Sequence, residues 1–130
     1  MTTPFWCLLI AVLLPYAWAG VAGAFKGRDF DDFDLGEPRV QSAQLEGAGR
    51  RAVAAQSNAW EALSVFTAAV AVAHLSGADT VASATAAVVF VAARVIHGVG
   101  YLAGIPTVRV AGFAVGMGAS LRLFQLAAAA

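Results

Sequence analysis

Apolar residues gather into four long stretches, at about residues 4–25, 52–75, 81–103 and 108–129, separated by short polar or turn-forming segments. About 20 apolar residues in a helix cross the hydrocarbon core of a bilayer, so the pattern predicts an all-α fold, an integral membrane four-helix bundle formed as one domain over 1–130. The first stretch carries no charged side chain between Met1 and Phe25. Without a basic segment ahead of its apolar run, it reads as a span rather than a cleaved signal peptide. Residues 26–49 are the one distinctly polar segment, with Asp29, Asp31, Asp32, Asp34, Glu37 and Glu46 among glycines and prolines. They read as a connecting loop with a solvated acidic face, since the acidic run lacks the spacing of a calcium loop.

Composition agrees with the pattern: 60% of residues are hydrophobic and 12% charged, about half the charge content of an ordinary soluble domain. A formal net charge of zero gives no argument for a nucleic-acid partner. The single Cys7 excludes an internal disulfide and cysteine-rich metal motifs. No glycine-rich phosphate loop and no paired-histidine motif is present.

The second apolar stretch is anomalous. Its opening, RRAVAAQSNAWEALSVF at residues 50–66, places Arg50, Arg51, Gln56, Asn58 and Glu61 where lipid-compatible residues are expected. A charged residue at mid-membrane costs about 2.5–3.5 kcal/mol on insertion scales, so such groups mark sites where partners, water or a ligand satisfy them. Orientation supplies companions. The segment after the first span and its borders hold Lys26, Arg28, Arg39, Arg50 and Arg51, whereas the turn near Ser76–Thr80 holds no basic residue. The positive-inside rule therefore predicts that loop 1 is cytoplasmic and both termini face the opposite compartment. The second span then starts, the third ends and the fourth starts on one side, which groups Arg51 with Arg94, His97, Tyr101 and Arg109.

Helical phase refines the group. At about 100° per residue Arg51, Asn58 and Glu61 share one quadrant of the second span while Gln56 points away, and Arg94, His97 and Tyr101 share a face of the third. Glu61 lies about 15 Å along its helix from Arg51, a depth that suits an elongated polar ligand. The plainer reading makes the arginines interfacial anchors and Tyr101 part of an aromatic belt. Glu61 is too short to snorkel; its plainest explanation is a structural bridge to Arg94 or Arg51. His74 reads as a boundary residue, Arg122 as an anchor at the far interface, and Gly112 and Gly116 as packing positions.

With AQSNAWE at 55–61 and ARVIHGVGY at 93–101, the chain resembles the family of membrane-associated proteins in eicosanoid and glutathione metabolism (MAPEG). The resemblance covers nearly the whole chain, and Ile105–Pro106–Thr107–Val108–Arg109 is similar to bacterial members in particular. It implies a homotrimer, in the bacterial inner membrane, with glutathione held between subunits on the cytoplasmic side. Asn58 and Glu61 would then bind the glutathione backbone, Glu61 taking the amino group, and Gln56 would serve a neighbouring subunit. Arg94 and Tyr101 match family site positions, and Lys26 or Arg28 corresponds to a basic residue reaching from the end of the first span. Arg109 is the catalytic candidate, stabilising the thiolate of glutathione.

The chain departs from the family pattern at Ala54, where an arginine is common, at Ala62, where an aromatic is usual, and at His97, which replaces a tyrosine. Arg109 stands one residue beyond the strict alignment. The function expected is a glutathione-dependent transferase or peroxidase acting on lipophilic electrophiles or peroxidised lipids, with membrane lipid as its surroundings. The alternatives are a small multidrug or ion transporter, and a non-catalytic lipid-binding module.

Overall fold

A computed structural model describes residues 1–130 as five helices and no strand: α1 (Thr3–Asp29), α2 (Pro38–Ala43), α3 (Gly47–Leu75), α4 (Thr80–Ala103) and α5 (Pro106–Ala128). Local chemistry sets the boundaries. Asp79 caps α4 by accepting from the backbone N–H of Ala82 at 2.7 Å, which satisfies one of the donors left free at a helix start. Gly104 ends α4 with φ of 68°, a left-handed conformation that glycine adopts without a Cβ clash. The amide of Ile105 then bonds the carbonyl of Gly100 at 3.0 Å, and Pro106 opens α5 with its φ already helical. Pro15 lies inside α1, which neighbouring helices make tolerable in a membrane.

Helices α1, α4 and α5 are each long and apolar enough to cross a membrane. The 29-residue α3 is about 43 Å long and carries the polar residues of the second stretch along its first half. It packs against all three of the others, completing the four-helix bundle. The bundle is closed at its middle by Phe66 stacked on Phe90, with ring centroids 3.7 Å apart and planes 4° from parallel. Ala69, Val70, Ala87 and Leu123 surround this pair. Large apolar side chains such as Leu13, Val88, Ile96 and Val115 stand exposed on the outside, as a surface solvated by lipid requires.

Very close helix contacts hold α4 against α5. A Cβ added at Gly112 would lie 2.9 Å from the carbonyl oxygen of Ala93 and from the backbone nitrogen of His97, and one at Gly100 would lie 2.8 Å from the backbone nitrogen of Arg109. The packing role read for Gly112 and Gly116 in the sequence is what this geometry displays. A Cβ at Gly98 would overlap the indole of Trp18 on α1. In lipid such approaches supply the van der Waals contact that holds helices together.

The polar connection differs from a plain loop over 26–49. Helix α1 runs on to Asp29, α3 begins at Gly47, and the short α2 stands between them. The ammonium of Lys26 donates to the carbonyl of Pro38 at 2.6 Å. The buried Gln41 side chain donates to the carbonyl of Asp32 at 2.8 Å and accepts from the amide of Asp34 at 3.2 Å. Asp34 in turn accepts from the amides of Gly36 and Glu37 at 2.9 and 2.8 Å. Backbone groups that are unpaired in a composition-based reading are thus satisfied by three side chains of the segment itself.

Candidate functional site

Arg94, on α4, is 4% exposed and reaches α3. One terminal nitrogen donates to the side-chain oxygen of Asn58 at 2.5 Å and to the backbone carbonyl of the same residue at 3.2 Å. The Asn58 amide then donates to the Glu61 carboxylate at 3.2 Å. No direct Glu61 bridge to Arg94 or Arg51 forms; the only ion pair in the structure joins Arg28 to Asp29. Asn58, one turn before Glu61, occupies the space between the two charges and relays them. The Nε of Arg94 is buried without a partner, and one oxygen of Glu61 remains free on an exposed side chain.

These residues line an open pocket of about 210 Å³ between α3, α4 and α5. Phe90, Phe113, Met117 and Ser120 complete its wall. The α5 positions lay outside the sequence reading, because Phe113 and Met117 are ordinary residues for a span; Ser120, a hydroxyl in an apolar helix, was the one available signal. Gly116 makes room for the arginine: a Cβ there would lie 3.2 Å from Cδ of Arg94.

A second cluster sits at the adjoining end of the bundle. His97, 3% exposed, has Nδ1 2.7 Å from the carbonyl oxygen of Arg109. A carbonyl only accepts, so in neutral His97 this nitrogen carries the proton and the buried, unpartnered Nε2 presents a lone pair. The imidazole meets the Tyr101 ring edge-on at 5.0 Å, and the Arg109 guanidinium lies over the Tyr101 face at 4.8 Å, a cation–π contact. The Arg109 side chain makes no hydrogen bond within the chain and keeps its donors free.

Other expected members fall differently. Arg51 donates through Nε and a terminal nitrogen to the carbonyl of Leu102 at 3.3 and 3.2 Å, satisfying the end of α4 rather than the pocket. The contact places the start of α3 beside the end of α4. Gln56 is half-buried and lines none of these contacts. Arg28 is exposed and held by Asp29 through bonds of 2.6 and 3.1 Å. His74 packs edge-on against Phe5 at 4.9 Å, and Arg122 is exposed on α5.

A four-helix membrane bundle that keeps a buried arginine, an asparagine and a carboxylate in register at one end is a membrane protein with an intramembrane polar site. The family model of the MAPEG family matches residues 3–129, and the chain belongs to that family. No curated protein and no solved structure matches it.

Proposed function

We propose that the protein is a membrane-embedded, glutathione-dependent transferase or peroxidase for lipophilic electrophiles or lipid hydroperoxides. The observation that carries this reading is the Arg94–Asn58–Glu61 relay on the wall of the pocket. Glutathione offers two carboxylates, an ammonium and two amides. A guanidinium with a spare buried donor, an exposed carboxylate and an amide between them match that set. Glu61 takes the ammonium and Arg94 a carboxylate, while Asn58 keeps the two protein charges apart.

Arg109 supplies the chemistry. A thiol becomes a strong nucleophile when ionised, and an adjacent guanidinium favours the thiolate. In transfer the thiolate sulfur forms a bond to an electrophilic carbon, and the leaving group departs with its electron pair or the adduct takes a proton. In peroxide reduction the sulfur attacks the distal oxygen, the O–O bond breaks and the alcohol leaves. A second glutathione then converts the sulfenic intermediate to the disulfide and water.

A homotrimer belongs to the same proposal. The pocket of about 210 Å³ is below the range of about 300–1,000 Å³ usual for small-molecule sites, and the Glu61 carboxylate is exposed on the outside of the bundle. Trp60, next to Glu61 in sequence, is exposed and meets the exposed ring of Tyr16 on α1 edge-on at 5.3 Å. A second copy set against this face encloses the ligand and brings Gln56 to a neighbour's site. In the same proposal this end of the bundle lies in the cytoplasm and the protein in the bacterial inner membrane, a reading supported by the basic residues of loop 1. The Phe66–Phe90 stack fills the middle of the bundle, so the transporter reading draws no support from it.

Calorimetric titration of the detergent-solubilised protein with glutathione tests the proposal. Saturable binding is expected, weakened about tenfold or more by Glu61→Gln through loss of a charge-assisted contact. Arg109→Ala is expected to retain binding while losing most turnover and the ultraviolet absorbance of the bound thiolate. Absence of both glutathione binding and glutathione-dependent turnover across electrophiles and hydroperoxides overturns the reading.

A further inference from the structure

At the end of the bundle opposite the arginine cluster lies a larger cavity, of about 700 Å³, between the starts of α1 and α4 and the end of α3. Ser83 and Arg94 are about 16 Å apart along α4, and the Phe66–Phe90 stack stands between the two cavities. Phe5, Val70, Val81 and Leu123 give it an apolar wall, and His74, Ser83 and four threonines add polar groups. Its volume and this mixture are those of a small-molecule site.

Ser83 supplies a second, independent observation. It is 6% exposed, and its hydroxyl has no hydrogen-bond partner. The other buried helical serine, Ser120, bonds back to the carbonyl of Gly116 at 3.3 Å, and Thr85, itself on the cavity wall, bonds back to the carbonyl of Val81 at 2.9 Å. Ser83 therefore holds an unspent donor in the cavity wall, free to turn toward an occupant. No lysine, arginine, aspartate or glutamate lines the cavity. A phosphate or other strongly charged head would meet no such side chain there, whereas a hydroxyl or ester head meets the serine hydroxyl and the imidazole.

We propose that this cavity is a second ligand site, for a neutral single-chain lipid with a hydroxyl or ester head, the chain lying on the apolar wall and the head at Ser83 and His74. The full chain in phosphatidylcholine nanodiscs is to be photolabelled with a monoacylglycerol carrying a diazirine in its acyl chain, and the labelled residues located by mass spectrometry. Label is expected to concentrate within 70–85 and around Leu123. Ser83→Ala should lower it about fivefold, the size of one hydrogen bond, and Ala84→Phe, which fills the cavity, should lower it further. Unlabelled monoacylglycerol should compete and lysophosphatidylcholine should not.

Label spread evenly over outward residues such as Val88 and Ile96, or label in the cavity that both variants leave unchanged, overturns the site. Equal competition by lysophosphatidylcholine overturns the neutral head. Glutathione titration of the same preparations keeps the two proposals apart, because both variants should bind glutathione as the parent does.

Discussion

Arg94→Gln is expected to weaken glutathione binding about a hundredfold or more. The guanidinium is buried, and it alone holds both the side-chain and backbone oxygens of Asn58. Glutamine is shorter and uncharged, so it loses the charge-assisted bond and leaves the Asn58 carboxamide oxygen without its donor in a low-dielectric setting. Each of these effects costs about 1.5–3 kcal/mol, and a hundredfold change needs only about 2.7 kcal/mol. Freed from Arg94, Asn58 turns, and Glu61 loses the amide that orients it. Calorimetry on Arg94→Gln, Arg94→Lys and the parent checks this. Lysine restores the charge but not the fork, so it should recover only a small part. Binding of Arg94→Gln within a few-fold of the parent would show that the relay does not hold the ligand.

Gly112→Val is expected to have the largest effect on stability. The new side chain starts 2.9 Å from the carbonyl oxygen of Ala93 and the backbone nitrogen of His97, and backbone on both sides has no rotamer to yield. Helices α4 and α5 must separate, at about 1–3 kcal/mol for overpacking together with the loss of the neighbouring close contacts. The same shift draws Arg109 away from His97, whose Nδ1 holds its carbonyl, so catalysis should fall even in the fraction that stays folded. Gly118→Ala provides the control, since a Cβ there meets nothing within 4 Å; it should stay within about 0.5 kcal/mol of the parent. Thermal unfolding in detergent separates the two variants, and equal stability would remove the close-packing account of the α4–α5 contact.

Much of the frame was legible in the sequence because hydropathy in a membrane protein is a direct statement of where backbone must be helical. The break between the third and fourth stretches fell at the α4–α5 turn, where Gly104 supplies the left-handed φ and Pro106 opens the next helix. The gathering of Asn58, Arg94, His97, Tyr101 and Arg109 at one end follows from helix order alone. Which of them touch does not. Periodicity fixes the face on which Arg94 and Glu61 stand, but whether they meet depends on the rotation of α3 against α4. That rotation is set by alanine and glycine contacts, which carry no sequence signature of their own. The same limit hid Arg51 on the Leu102 carbonyl and Lys26 on that of Pro38. The larger cavity was invisible because it is formed by ordinary residues at three helix ends.

Helix α3 is about 43 Å long, while the hydrocarbon core it meets is about 30 Å thick. The excess leaves a shallow margin: a bilayer thicker by a few ångströms draws Glu61 deeper into hydrocarbon, and a thinner one lifts it toward the headgroups. Tilting absorbs part of the difference at a modest cost per ångström. Acyl-chain length in reconstituted vesicles thus becomes a dial on how wet the carboxylate is, and the composition of the host membrane sets the working affinity of the polar site without altering a residue.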